Sequence, residues 1–282
     1  MRQAALAAAF TIPCLAQFNP AQLAAAQKAA AEAAAEAAKA PTPHTADGRA
    51  DLTGYWAPPA FNPFGPSRPA TLDGKAPVVP ISEQGETRGN DAGVARRAAD
   101  TAARPEYKPE YAAKAKQNFE RASFHDPAFR CEPEGVPRIG PPTEIVQTPS
   151  AVYFLYANRN IYRVIPTDGR AHDKDADWLP NGDSIGRWED DTLVVDVTKI
   201  SEDTWIDQDG SLHSADMHVV ERLTRKGNTL NYSAVVEDPK LLAKPFTPRP
   251  RTLIFGKPGE HAGQDYPCVD MDREHLQTNQ RH

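Results

Sequence analysis

Residues 184–198 of the chain are SIGRWEDDTLVVDVT, and this stretch decides the fold. Apolar and polar residues alternate on both sides of Glu189-Asp190-Asp191, which has the composition of a tight turn. Strands joined by so short a turn must be antiparallel, because parallel neighbours need a crossover of a dozen residues or more. The stretch therefore predicts a β-hairpin with strands at residues 184–188 and 192–198.

The same alternation continues in both directions from this hairpin. Further strands are predicted at residues 51–56, 144–148, 152–156, 160–166, 217–224, 229–236 and 251–255. Short polar turns link several of them, and no helical pattern intervenes after residue 143. We therefore predict an all-β fold, an antiparallel β-barrel of the lipocalin-like kind, with a β-sandwich as the alternative.

The chain divides into four segments. Residues 1–16 have the pattern of a signal peptide, with a positive Arg2, an apolar run and a small-residue cleavage site, so the protein is expected to be periplasmic or secreted. Residues 17–46 form an Ala-rich helical spacer, and residues 47–122 a Pro-rich irregular segment with short helices and the first strand. Residues 123–282 form the barrel domain.

Composition excludes several classes of partner. The net charge is −6 and the basic residues are scattered, so no nucleic-acid partner is expected. Neither G-x-G-x-x-G nor G-x-x-x-x-G-K-[ST] occurs, which argues against a nucleotide cofactor. No apolar stretch after the leader approaches the roughly 18 to 20 residues of a membrane span. The expected partner is a small-molecule ligand or substrate, and the oligomeric state is not predicted.

Cleavage of the signal would remove Cys14 and leave Cys131 and Cys268. Two cysteines in an exported chain predict one disulfide between them. The alternative is two unpaired thiols that are buried as small hydrophobic groups.

Three histidines, His172, His213 and His218, could bind zinc or a similar divalent metal. His213 and His218 are five residues apart and would point to opposite faces of one strand. They could therefore converge only if His213 lies in the loop before the strand.

Metal-free acid–base chemistry is the second hypothesis for these residues. His172 and His218 would exchange protons, with Glu144 or Glu221 as a base. A developing negative charge would be stabilised by two basic groups, Arg170 and Arg187. In a third, purely structural interpretation, all of these groups make ion pairs and hydrogen bonds.

Aromatic residues within or beside the predicted strands could stack on the ring of a ligand. Trp178 and Trp205 are the better candidates, because both lie in acidic loops rather than in apolar runs. The other candidates are Trp188, Tyr153 and Tyr162.

Two resemblances to known families add to these patterns. Gly54-x-Trp56 resembles the opening motif of lipocalin-like barrels, which implies that an Arg, here Arg251, packs across the Trp. Five further motifs together resemble a largely uncharacterised family of exported β-rich bacterial proteins: C-x-P-x-G-x-P-R from Cys131, EIVQTP from Glu144, DGRxH from Asp168, SIGRWE from Ser184 and HSxxxH from His213. This resemblance covers roughly residues 123–270 and implies an active or binding site in the barrel domain.

The sequence thus predicts a periplasmic enzyme that acts on a small aromatic or carbohydrate-like substrate by hydrolysis or elimination, as a lyase or hydrolase. The alternative is a non-catalytic, lipocalin-like protein that binds an apolar or aromatic small molecule.

Overall fold

A computed structural model describes residues 20–59, 104–120, 126–157, 161–257 and 259–262. These residues contain two α-helices, α1 (Pro20–Ala37) and α2 (Pro109–Glu120), and one 3-10 helix (Pro127–Arg130). They also contain nine strands: β1 (Gly54–Ala57), β2 (Glu144–Gln147), β3 (Ala151–Leu155), β4 (Tyr162–Pro166), β5 (Asp183–Glu189), β6 (Thr192–Thr198), β7 (His218–Lys226), β8 (Thr229–Glu237) and β9 (Arg251–Phe255). The predicted strands are confirmed to within about two residues, except that β1 begins at Gly54, three residues after its predicted start, and α2 lies in the segment where short helices were predicted. The predicted signal peptide lies outside the described residues.

The nine strands form one sheet in the order β4-β3-β2-β1-β9-β8-β7-β6-β5. Every neighbouring pair is antiparallel, and the pairing of β1 with β9 joins the first strand to the last. The sheet curls into a nearly closed barrel, which confirms the all-β barrel prediction. A seam remains where the two ends of the sheet, β4 and β5, face each other.

The odd number of strands makes the two strands at the seam parallel to each other. Eight antiparallel steps lead from β4 around the barrel to β5, so these two strands run in the same direction. Parallel neighbours cannot be joined by a hairpin. The connection, residues 167–182, must therefore pass from one end of the barrel to the other.

Side chains close the seam. Arg163 of β4 donates through Nη2 to Ser184 Oγ of β5 at 3.0 Å. Gly186 allows β5 to approach β4 closely, because a Cβ there would lie 2.8 Å from Cγ2 of Ile165 and 2.9 Å from Cγ2 of Thr167. Any larger residue at position 186 would push the strands apart.

Trp56 is a fully buried core residue at the start of the barrel, 1 % exposed, and its indole N–H donates to Leu52 O at 2.9 Å. Phe255 packs edge-on against it with 5.1 Å between ring centroids. The guanidinium over the indole belongs to Arg225 of β7, 5.1 Å from the ring centroid. The expected Trp–Arg packing thus occurs with Arg225, a different residue from the Arg251 that was predicted.

Both helices pack on the ends of strands. The end of α1 contacts the β7–β8 turn, where Asn228 N donates to Ala37 O at 2.9 Å. Near α2, Lys108 N donates to Leu241 O and Ala243 N donates to Glu106 O. Neither these helices nor any other in the described ranges is long and apolar enough to cross a membrane.

Cys131 is disulfide-bonded. Cys268, the partner predicted for it, lies outside the described residues. Their pairing therefore stays a prediction.

Candidate functional site

Two imidazoles and three carboxylates form a continuous hydrogen-bonded chain on the outer face of the barrel. In order, its members are Asp183, His172, Asp196, His218 and Glu237. His172 bridges two carboxylates, with Nδ1 2.6 Å from Asp183 Oδ2 and Nε2 2.9 Å from Asp196 Oδ1. His218 Nε2 lies 3.0 Å from that same oxygen of Asp196, and its Nδ1 lies 3.3 Å from Glu237 Oε2. We call these five residues the imidazole–carboxylate chain.

Strand pairing brings this chain together at one end of the barrel. Asp183 begins β5 and His218 begins β7, while Glu237 ends β8. Asp196 lies near the end of β6, between inward-facing Val195 and Val197, so its carboxylate points outward. We call this the histidine end of the barrel. His172 reaches it through the 167–182 connection.

Protons on the imidazoles offset part of the negative charge of the three carboxylates in the chain. A carboxylate oxygen only accepts hydrogen bonds, so the 2.6 and 2.9 Å contacts of His172 are both satisfied when both ring nitrogens donate, as in an imidazolium. Burial lowers the pKa of His172, but its hydrogen bonds to Asp196 and Asp183 outweigh burial and raise the pKa above its ordinary value. Burial raises the pKa of Asp196, and the hydrogen bonds from His172 and His218 reverse this and lower it. Asp196 is thus held ionised between two imidazoles.

Glu221 lies elsewhere, inside the barrel and fully buried. Both of its oxygens accept from Arg163, with Nη1–Oε1 3.1 Å and Nη2–Oε2 2.6 Å. Tyr232 donates its hydroxyl to Oε1 at 2.9 Å, and Tyr156 lies 3.3 Å from Arg163 Nη1. Burial raises the pKa of Tyr156 to about 12. The predicted base thus forms an ion pair inside the barrel.

His213 is also separate from the imidazole–carboxylate chain. It lies in the loop before β7, the position that convergence with His218 would need, and it is 5 % exposed. The two imidazoles nevertheless have different partners. Its Nδ1 donates to Ser214 O at 3.0 Å, and its Nε2 lies 2.9 Å from Thr204 Oγ1. Burial lowers the pKa of His213. The structure therefore brings His172 and His218 onto one carboxylate and gives His213 different partners.

The predicted anion stabilisers make exposed ion pairs with near neighbours. Arg170 Nη2 is 2.5 Å from Asp168 Oδ2, and Arg187 Nη2 is 2.8 Å from Glu189 Oε1. Arg187 is four residues along β5 from Asp183, or about 13 Å at the rise of a strand. Glu144 begins β2, where its carboxylate accepts from Ala262 N at 2.9 Å and lies 3.1 Å from His261 Nδ1.

The aromatic candidates occupy different environments. Trp178 is 51 % exposed and Tyr162 is 67 % exposed, which leaves both available to a ligand. Lys199 Nζ lies 3.9 Å from the ring centroid of Trp178. Trp205 is buried, with Arg138 above its ring at 5.6 Å. Two further candidates are half-buried, Tyr153 on β3 and Trp188 on β5.

Among the described residues, no group of three or more His, Cys, Asp or Glu side chains has the arrangement of a metal site. His172 Nε2, His218 Nε2 and Asp196 Oδ1 are the most closely gathered of the predicted donors and their neighbours. In the structure these atoms are held by hydrogen bonds. The predicted metal ligands therefore stay a hypothesis.

Sequence reasoning missed Asp183, Asp196 and Glu237 within the imidazole–carboxylate chain, and Arg163 within the barrel. A signal for Asp196 was available, since it interrupts the apolar run of β6 at an outward position. Asp183 and Glu237 sit at strand ends, where composition alone gives no reason to choose them. Arg163 faces inward while its neighbours Tyr162 and Val164 are exposed, which is the reverse of what their apolar character predicts from the sequence.

Comparisons with known proteins identify no family for this chain. No protein-family model, no curated protein and no solved structure matches this chain. The resemblance to exported β-rich proteins is neither supported nor opposed by these searches.

Proposed function

We propose that this protein is an exported enzyme that acts on a small organic substrate by general acid–base catalysis at the imidazole–carboxylate chain. The observation that carries the proposal is the approach of two imidazole Nε2 atoms to one oxygen of Asp196, at 2.9 and 3.0 Å. Hydrolysis and elimination are the reaction types that such a site suits, because both require a proton to be taken up and returned. An exported location agrees with the disulfide at Cys131.

His218 is the group that would exchange a proton with the substrate. In the neutral tautomer of His218, Nε2–H donates to Asp196 and Nδ1 is the basic atom, the arrangement of a His–Asp dyad; the 3.3 Å contact with Glu237 becomes a hydrogen bond only when Nδ1 is protonated. The contact of Nδ1 with Glu237 is the longest in the chain, 3.3 Å, and Glu237 is 53 % exposed. Substrate can therefore reach this atom. Once Nδ1 takes a proton, the new imidazolium lies between Glu237 and Asp196.

His172 and Asp183 would act as positioning residues. The His172 imidazolium neutralises part of the charge on Asp196 and holds it ionised. Asp183 in turn accepts from His172 and from Asp173 N, which fixes the loop. Removing either residue should alter the pH profile of turnover more than substrate affinity.

A divalent metal ion is the second candidate for the same atoms. His172 Nε2, His218 Nε2 and Asp196 would be the ligands, and the contacts of Asp183 and Glu237 to the outer ring nitrogens match the carboxylate–histidine–metal pattern. The ion would supply an activated water for hydrolysis. We favour the metal-free form, because the hydrogen bonds already satisfy these atoms. The non-catalytic alternative places an apolar ligand in the barrel, where the Arg163–Glu221 pair now lies.

The test is turnover of a panel of small esters, lactones and 3-hydroxy acids by wild type and by His218→Asn and Asp196→Asn. We expect losses of about 100-fold or more in both variants, the contribution of a positioned acid or base. His44→Asn is the matched control, because His44 makes a similar 2.9 Å contact with Asp191 away from the chain. Full activity of His218→Asn would overturn the proposal.

Elemental mass spectrometry on the untagged protein distinguishes the metal-free acid–base site from the metal site. About one zinc or similar ion per chain, lost in Asp196→Asn, would replace the acid–base form with the metal form. A substrate-independent check is the ¹⁵N shift of His172, which should report a doubly protonated ring at pH 6.

A further inference from the structure

A cleft of about 160 Å³ lies between helix α2 and the histidine end of the barrel. It is a different place from the imidazole–carboxylate chain, since none of the five chain residues lines it. Its walls combine rings, aliphatic groups and charges, and they are Tyr107, Tyr111, Lys114, Glu202, Leu212, His213, Lys240 and Leu241. A cavity of roughly 150 Å³ holds one benzene ring, so the volume suits a small organic molecule.

The polar groups on the floor of the cleft already make hydrogen bonds within the protein. Tyr107 donates its hydroxyl to Leu212 O at 2.8 Å. Ser214 O can only accept, so His213 carries its proton on Nδ1. Its Nε2 lies 2.9 Å from Thr204 Oγ1, a hydroxyl that also donates to Ser201 O at 2.9 Å. Both nitrogens of His213 are thus used within the protein, and the imidazole offers a ligand its ring surface rather than a hydrogen bond.

The charged side chains of the lining include two ammonium groups. Lys114 and Lys240 oppose a single carboxylate, Glu202, and Glu202 already accepts from Ala215 N at 3.0 Å. The buried Asp238 carboxylate lies within hydrogen-bond distance of the Lys240 backbone, so the surroundings of the cleft carry no net positive charge. What the cleft offers a ligand carboxylate is direct contact with two ammonium groups, those of Lys114 and Lys240.

Lys240 lies in the turn after β8, and the buried carboxylate of Asp238 stabilises this turn. Asp238 is 2 % exposed and accepts from Ser214 N and Oγ at 2.6 and 2.9 Å. It also accepts from Lys240 N and Leu241 N, each at 3.0 Å. One side chain thus joins the loop before β7 to the turn after β8. This preorganisation reduces the ordering that a ligand would otherwise have to impose.

We propose that this cleft binds a small organic monocarboxylate with an apolar body of about the size of a benzene ring. The body packs against the tyrosine rings and the two leucines, and the carboxylate binds Lys114 and Lys240. The site is independent of the proposed catalytic function.

The test is an NMR titration of the full chain with benzoate, and with benzamide as the neutral analogue of the same shape. We expect benzoate to shift the signals of residues 107, 111 and 213, and to bind at least about tenfold more tightly than benzamide. Lys114→Met and Lys240→Met should each weaken benzoate binding by about tenfold. Lys226→Met is the control, because Lys226 lies at the opposite end of β7.

Equal affinity for benzoate and benzamide, unchanged affinity in both cleft variants, or no binding of benzoate would overturn the inference. Loss of binding in His218→Asn would also overturn it, because benzoate would then bind at the imidazole–carboxylate chain. Thermal unfolding of each variant establishes that any loss of binding is not a loss of fold.

Discussion

Replacing Glu221 with Leu should destabilise the protein strongly, because it leaves the Arg163 guanidinium buried without its counter-ion. The two side chains are 0 % and 3 % exposed and share two hydrogen bonds of 3.1 and 2.6 Å. Breaking such a pair by removing one partner costs about 3–5 kcal/mol. Since domains of this size are stable by roughly 5–15 kcal/mol, the variant would lose about a fifth or more of its stability.

The double variant Arg163→Met/Glu221→Leu gives the sharper result. Replacing a buried ion pair with apolar residues of similar volume is often neutral or stabilising. We therefore expect the double variant to recover most of the free energy of unfolding that Glu221→Leu loses. Tyr232→Phe is the companion control, because it removes one hydrogen bond to Glu221 and should cost only about 1 kcal/mol.

Urea unfolding of the oxidised protein, monitored by tryptophan fluorescence, measures these changes. The slope of the free energy of unfolding against urea must stay constant for the midpoints to be compared. A loss below about 1 kcal/mol in Glu221→Leu would refute the reasoning, because a loss that small is typical of an exposed ion pair rather than a buried one. So would a double variant whose loss equals the sum of the losses measured for Glu221→Leu and Arg163→Met alone, since that would show no coupling between Arg163 and Glu221.

Two further predictions concern the seam and the imidazole–carboxylate chain. Gly186→Val should lower the free energy of unfolding by about 1–3 kcal/mol in urea, because its side chain would meet Ile165 and Thr167, whereas Arg187→Ala on the exposed face should change it by less than about 0.5 kcal/mol. Because the pKa of His172 is raised in the folded state, its contribution to stability should be complete below the unfolded value of 6.5 and disappear as the pH rises through the folded value. The stability difference between wild type and His172→Asn should therefore shrink with rising pH, and a difference that grows would contradict the assignment. Asp196 has a lowered pKa, so its contribution should be present above 3.8 and be lost as the pH falls through the folded value.

The barrel could be predicted from sequence because its strands alternate regularly and its turns are short. Period-two burial is clear in β7, where Val219, Glu221, Leu223 and Arg225 face inward. Each hairpin fixes the direction of its neighbour, so strand order followed from chain order. What the alternation did not indicate was which two of the nine strands would remain unpaired at the seam.

The grouping of the candidate site was predicted only in part, and the separation of Glu221 from His218 has a simple geometric origin. His218 and Glu221 are neighbours in the sequence, yet three residues apart on a strand means opposite faces. His218 therefore points outward to Asp196, and Glu221 points inward to Arg163. Proximity along a strand is a poor guide to a shared site unless the separation is even.

The odd strand count also explains why a site forms at the histidine end. Because β4 and β5 run in parallel, residues 167–182 must return along the barrel before β5 can begin. That passage carries His172 from the end where β4 stops to the end where β7 starts, and so places it beside His218. With an even number of strands, a short hairpin would suffice and His172 would have no reason to approach Asp196. Shortening the 167–171 segment should therefore separate the two imidazoles while leaving the β5–β8 ladder intact, which ¹⁵N spectra of the histidines would reveal.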